Sequence, residues 1–178
     1  MNKNQQRINS RTILEKLNES ELKKESEIIF RKITASELFT QSKTVFIYVS
    51  TQKEPDTLRL IQYALDEGKT VCVPKCVSKT EMKAVKIDSI DELREGKFGI
   101  KEPADTNKTI ERNQIDFAVI PCVAASRSGK RLGHGAGYYD RFLEGMTAYK
   151  MCLCFGELLF DDIPTDEHDI LMDEIISE

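Results

Sequence analysis

From Lys130 to Arg141 the chain reads Lys-Arg-Leu-Gly-His-Gly-Ala-Gly-Tyr-Tyr-Asp-Arg, which sets three alternate glycines among cations, two tyrosines and one carboxylate. These residue types suit phosphate chemistry. The backbone at Gly133, Gly135 and Gly137 can turn successive amides toward one anion, with Lys130 and Arg131 entering from one side and Arg141 from the other. Asp140 can hold a divalent cation against phosphate oxygens. The spacing differs from both widespread nucleotide motifs: Gly129-Lys130 is followed by Arg131 rather than Ser or Thr, and Tyr138 stands where a third dinucleotide-type glycine is required. The same residues also fit a glycine turn packed under Tyr138 and Tyr139 without a ligand.

Three further positions carry chemistry. Lys3 and Arg7 are four apart, so a helix would present both on one face, either to grip a phosphate or simply to meet water. Glu54 lies in the loop Ser50–Pro55, where it would face a ligand at a strand end or complement the dipole of the following helix. His168-Asp169 would serve as a second metal or acid/base element, or as a local hydrogen bond.

The elements that must position these groups follow from periodicity. Ile115–Pro121 is an apolar, β-branched run that reads as a buried strand, and Tyr139–Leu143 has helical character. The order strand, glycine loop, helix puts the loop at a strand's carboxyl end and at a helix N-terminus, where unsatisfied amides favour an anion. Upstream, residues 3 to 18 predict an amphipathic helix, and Asn18 or Ser20 caps a second from about Glu21 to Leu38. Thr44–Val49, Asp56–Glu67 and Thr70–Pro74 predict a right-handed βαβ unit with parallel strands, Gly68 closing the helix. Met82–Ile87 reads as a strand, Ile90–Gly96 as a helical turn leading to Phe98-Gly99-Ile100, and Ala104–Gln114 as loop. Tyr149–Phe155 reads as another strand, and the tail Leu171–Ile176 as a terminal strand at an edge. Together they predict an α/β, Rossmann-like three-layer sandwich: one domain over residues 1–178, with a mainly parallel central sheet and helices on both faces.

Composition excludes several classes. Of 178 residues 40% are hydrophobic, enough for a substantial core. A net charge of -4 argues against a nucleic-acid protein that relies on a basic surface. With no apolar run of about 18 residues and no signal-peptide core, the sequence predicts a soluble cytoplasmic protein with no membrane role. The five cysteines lack zinc-site spacing and read as reduced, mostly buried thiols.

Taken together, the motifs resemble a known family. Gly129–Leu143 resembles the signature G-x-R-L-G-Y-G-x-G-Y-Y-D-R of the 5-formyltetrahydrofolate cyclo-ligases, or methenyltetrahydrofolate synthetases. Lys3 and Arg7 resemble that family's K-x-x-x-R, Glu54–Thr57 its E-x-D-T, Gly99–Pro103 its G-I-x-E-P, and Pro164 with His168-Asp169 its P-x-x-x-H-D. The resemblance implies ATP-dependent, Mg²⁺-assisted cyclisation of 5-formyltetrahydrofolate, with or without a polyglutamate tail, by a monomer or weak dimer. It implies ATP binding by Lys3, Arg7, Arg131, Leu132, Gly133, His134, Gly135, Ala136, Gly137, Tyr138, Tyr139 and Asp140. Catalytic roles fall to Lys3, Arg131, Asp140 and Arg141, Mg²⁺ binding to Asp140 and Asp169, and folate contacts to Val49, Glu54 and Tyr138. The chain departs from the pattern at Ala125, Ser126, His134, Ala136 and Leu158. Ala125, Ser126 and Leu158 are expected to remove polar or aromatic groups from the pocket's neighbourhood, which admits an alternative: a folate- or nucleotide-binding relative with weak or no turnover. A sugar-phosphate isomerase or CoA-transferase-like enzyme is a third reading, on fold analogy alone.

Overall fold

A computed structural model of the chain describes residues 1–96 and 99–178. Phe98, where the passage after the Ile90 turn was expected to continue, lies outside the described residues.

The helices are α1 (Lys3–Leu14), α2 (Glu19–Thr34), α3 (Glu37–Gln41), α4 (Leu58–Asp66) and α5 (Tyr138–Leu143). The strands are β1 (Thr44–Ile47), β2 (Thr70–Cys76), β3 (Met82–Ile87), β4 (Leu93–Glu95), β5 (Lys101–Pro103) and β6 (Thr109–Ile110), followed by β7 (Phe117–Pro121), β8 (Ala124–Ser126), β9 (Arg131–Leu132), β10 (Tyr149–Leu153), β11 (Leu159–Phe160) and β12 (Glu174–Ile176).

Seven strands form the main sheet in the order β12-β10-β7-β1-β2-β3-β6. From β12 to β2 every pairing is parallel, and only the joins β2–β3 and β3–β6 are antiparallel. The sheet is therefore mainly parallel, as expected, with the tail strand at one edge. Helices cover both faces because β1 alternates: Val45 and Ile47 pack with Ile29 and Ile33 of α2 and Leu60 and Ile61 of α4, while Phe46 turns to Phe142 and Leu143 of α5. The Phe46 and Phe142 rings stand 4.8 Å apart. Each such side chain contributes about 1.5–3 kcal/mol by leaving water.

The winding direction reverses between β1 and β7. From β1 the chain adds β2 on one side, then returns to place β7 on the other, so a crevice opens between their carboxyl ends. The Glu54 loop follows β1, and the glycine stretch comes from the β7 side.

Several local expectations need correction. The glycine stretch does not follow the buried strand directly: β8 and β9 intervene as an antiparallel pair, joined by β11 into a small sheet of three strands. Ile90–Gly96 is a 3-10 turn only to Glu92 and then becomes β4, which pairs with β5. Within Ala104–Gln114 the chain forms β6 rather than loop throughout. The second helix stops at Thr34, and α3 is a separate turn; Asn18 caps α2, and the Asn18 and Glu21 side chains accept reciprocally from one another's amides. Among the described residues no helix is long and apolar enough to cross a membrane.

Candidate functional site

A cavity of about 1070 Å³ opens at the carboxyl ends of β1 and β7. Lys3 and Arg7 of α1, the glycine stretch, Val49 and Glu54 after β1, and Asp166 to Ile170 all line it. Every residue to which the family resemblance gave a binding or catalytic role is on this wall, although the chain delivers them from widely separated segments.

The Glu54 side is built by a lock at the loop base. Thr57, fully buried, donates through Oγ1 to the Tyr48 carbonyl at 2.6 Å and accepts from the Ser50 amide at 2.9 Å. The Tyr48 hydroxyl donates to the Pro55 carbonyl at 3.0 Å. Held at both ends, the loop turns Glu54 into the cavity wall with its side chain 12% exposed. Its Oε2 accepts from the Thr51 amide at 2.8 Å and hydroxyl at 3.0 Å, while Oε1 lies 3.7 Å from His134 Nε2 on the opposite wall. Because α4 starts only at Leu58, Glu54 faces the cavity rather than capping that helix.

On the glycine side the structure revises the reading of the glycines. A Cβ on Gly133 would stand 2.9 Å from Arg131 Nη1, one on Gly135 3.3 Å from Arg7 Cζ, and one on Gly137 2.7 Å from Arg141 Nη1. Each glycine clears space for a guanidinium. Gly135 and Gly137 also hold positive φ, +106° and +69°, which side-chain-bearing residues avoid. Since α5 has six residues, the concentrated positive charge comes from arginines more than from its dipole.

The cations differ in what they do. Arg131 lies under the loop with its side chain 2% exposed, pairing through Nη2 with Asp140 Oδ1 at 2.9 Å and donating through Nη1 to the Pro121 carbonyl at 3.3 Å. Its Nε is buried without a hydrogen-bond partner among the described residues. Arg7 Nε donates to the Gly133 carbonyl at 2.8 Å. Arg141 is anchored on the rim, Nε donating to the Thr80 carbonyl and Nη2 to that of Ala136, both at 2.8 Å. Lys130 does not enter the cavity as expected: it turns to Asp162 at 2.7 Å, because its strand neighbour Arg131 takes the inward side.

Lys3 bridges to Asp169 and to Asp166, a partner that nothing in the sequence pointed to. Partial burial alone would lower the Lys3 pKa, but hydrogen bonds and attraction from both carboxylates outweigh it and raise it. Asp169 behaves in mirror fashion. Burial pushes its carboxyl up, yet Lys3, the Asp166 amide and the Arg131 charge hold it below the usual range. His168 is exposed beside it on the cavity wall. Burial, with the Glu54 charge added, pushes the hydroxyls of Tyr48 and Tyr139 above the usual phenol range, so both present neutral rings to the cavity. Arg131 opposes the shift at Tyr139, where its guanidinium lies 5.6 Å from the ring centre.

Asp140 reaches the backbone next to Asp169, the Ile170 amide donating to Asp140 Oδ1 at 3.3 Å. The contacts described above engage one oxygen of each carboxylate. Among the described residues no group of three or more His, Cys, Asp or Glu side chains could hold a metal ion. Two carboxylates suit a Mg²⁺ that takes its remaining ligands from phosphate and water rather than from a protein cage.

The departures at Ala125, Ser126 and Leu158 lie elsewhere than expected. All three are buried and absent from the cavity wall, Ala125 and Leu158 packing with Cys154 and Phe155 beside the small sheet. Their effect on a ligand is indirect, because the small sheet supports the glycine stretch from behind.

Known proteins resemble this chain in sequence and in fold. The profile of the 5-formyltetrahydrofolate cyclo-ligase family matches residues 1–178. A probable 5-formyltetrahydrofolate cyclo-ligase of Caenorhabditis elegans is 35% identical over 146 residues, spanning 74% of this chain and 71% of that protein. The 5-formyltetrahydrofolate cyclo-ligase of Escherichia coli K12 is 29% identical over 137 residues, covering 74% of this chain and 75% of its own length. The 5,10-methenyltetrahydrofolate synthetase of Aquifex aeolicus superposes with a TM-score of 0.85 at 31% identity, over 98% of this chain and 89% of that one. For the synthetase of Mycoplasma pneumoniae the TM-score is 0.80 at 25% identity, over 99% of both.

Proposed function

The chain belongs to the 5-formyltetrahydrofolate cyclo-ligase family, and from that premise we propose that this cavity binds ATP and 5-formyltetrahydrofolate side by side and that the protein closes the folate to its 5,10-methenyl form. The family reaction is an ATP-dependent ligation that forms a C–N bond. What supports this assignment of sides is the cavity itself, with its arginines and glycines on one wall and Glu54 and Val49 on the other.

An N-formyl group is a poor electrophile with a poor leaving oxygen, and phosphorylation removes both obstacles. The formyl oxygen attacks the γ-phosphorus and ADP departs, leaving an iminium phosphate. The 10-nitrogen then adds to the activated carbon, loses its proton, and phosphate leaves. Arg7 and Lys3 offset charge on the phosphates, and Arg131 holds Asp140 in place from below. Asp140 and Asp169 would hold the Mg²⁺, which supplies charge neutralisation on the phosphate oxygens. Glu54, pinned at one oxygen by Thr51, offers the other to N–H donors of the pterin ring. Arg141, fixed to two carbonyls, shapes the rim of the phosphate side. The reading extends to a cytoplasmic monomer or weak dimer that also accepts polyglutamylated substrate and engages neither nucleic acid nor membrane.

The test is direct. Purified protein with Mg-ATP and 5-formyltetrahydrofolate should produce the methenyl chromophore together with an equal amount of ADP. No absorbance change at several enzyme concentrations with fresh reagents would overturn the proposal. The reading of a binding relative without turnover loses its motive, since Ala125, Ser126 and Leu158 do not line the cavity.

A further inference from the structure

His134 reaches from the glycine stretch across the cavity to Glu54, Nε2 standing 3.7 Å from Oε1. That separation is longer than a hydrogen bond, and a shift of under about 1 Å would convert it into one. Both partners are constrained in ways that matter. Glu54 is fixed at its far oxygen by Thr51, so the near oxygen can turn only slightly. His134 sits between two residues tied to Arg7, whose Nε takes the Gly133 carbonyl at 2.8 Å and whose guanidinium lies 3.3 Å from where a Gly135 Cβ would be. The imidazole is itself exposed, its side chain 73% accessible, so the backbone on either side sets its position.

A contiguous set of contacts therefore runs from a cation on the phosphate side, Arg7, through the loop at Gly133 and Gly135, to His134 and on to Glu54. We propose that His134 is a positioning residue that couples the two halves of the cavity: phosphates drawing on Arg7 move His134 onto Glu54, which orients that carboxylate for the folate ring. The inference rests on the reading of Glu54 as the folate-side group.

Linkage gives the measurement, because the factor by which one ligand changes the affinity of the other is the coupling itself. The Kd for 5-formyltetrahydrofolate is measured by calorimetry with and without a saturating imido analogue of ATP. In the unsubstituted protein the analogue should tighten folate binding by about 1.5–5-fold, the range for a contact with one partner open to water. His134→Ala should bring that ratio to one whatever it does to the nucleotide's own affinity, since the ratio compares folate binding within a single variant. His134→Tyr, whose hydroxyl can also donate to a carboxylate, should restore part of the ratio, a rescue that a merely structural loss would not show. A ratio of one in the unsubstituted protein, or an undiminished ratio in His134→Ala, overturns the coupling. Glu54→Gln separates the two claims: it should weaken folate binding with no nucleotide present, and an unchanged Kd there overturns the reading of Glu54 itself.

Discussion

Arg131 and Asp140 form an ion pair at 2.9 Å in which the arginine side chain is almost wholly buried and the carboxylate, in the first turn of α5, lines the cavity. The pair ties the floor of the cavity to the carboxylate proposed to hold Mg²⁺. Removing one member of a buried pair leaves the other charge uncompensated, which costs about 3 kcal/mol. Asp140→Ala is expected to lower the melting temperature by roughly 6–12 °C for a chain of this size and to suppress turnover at every Mg²⁺ concentration. Unchanged kinetics across a Mg²⁺ titration would remove Asp140 from the site.

Gly137 and Gly68 hold nearly the same φ, +69° and +73°, but only Gly137 has a neighbour where a Cβ would go. Alanine at either should lose about 1–2 kcal/mol to backbone strain. At Gly137 it must also displace Arg141, so the KM for ATP should rise, whereas Gly68→Ala should leave the kinetics untouched. Equal ATP kinetics in the two variants would show that the Arg141 position is immaterial.

Lys3 pairs with two carboxylates at the cavity edge, in a geometry where water screens the attraction. Such a pair contributes about 0–1 kcal/mol to stability. Lys3→Ala should therefore melt close to the unsubstituted protein yet raise the KM for ATP tenfold or more, about 1.4 kcal/mol. A changed folate KM with an unchanged ATP KM would move Lys3 to the other side of the site.

Glu25 is 6% exposed and accepts from the Gly156 amide at 2.8 Å. Burial raises its pKa; the Gly156 amide works against this, and the charges of Glu178, Glu157 and Glu21 add to the rise. A carboxyl whose folded pKa exceeds its unfolded one holds its proton more tightly when folded, so its contribution to stability is full below the unfolded value and is lost as pH rises through the folded value. Glu25→Gln, which keeps an acceptor for Gly156, should melt above the unsubstituted protein at pH 7, with the difference closing toward about pH 4. A difference independent of pH would point to packing instead.

Restoring the aromatic residue that the family pattern places at Ala125 should not help. The side chain is fully buried beside the small sheet, so Ala125→Phe overpacks it and should cost about 1–3 kcal/mol in denaturant titration. A lower folate KM in that variant would contradict the position assigned to Ala125.

Apart from the two-residue β6, the large sheet was legible because its strands are long enough to carry a signal. Val45, Phe46 and Ile47 form part of an unbroken apolar run, and Gly68 marks where the crossover helix ends. The small sheet was not legible: β9 and β11 have two residues each, too few to show a period of two, and their pairing is fixed by partners far along the chain. The site followed the same division. Lys3 and Arg7 on one helix face, and Glu54 at a strand's carboxyl end, follow from spacing and order alone. The approach of Arg7 to the glycine stretch does not, because Arg7 meets Gly133 across 126 positions and no local pattern encodes the meeting. Asp166 escaped for the same reason, and Ala125, Ser126 and Leu158 were misplaced because a motif aligned along the chain says nothing about which way a side chain points.

The bond between Lys3 and Asp169 also fixes when the site can exist. One partner belongs to α1 and the other lies just before β12, which closes the sheet edge. β1, α4 and β2 can wind by contacts between neighbouring segments, but the wall that carries Lys3 must wait for distant segments to meet, since contacts of such separation form late. A folding chain therefore carries the Glu54 loop before the wall opposite it is complete.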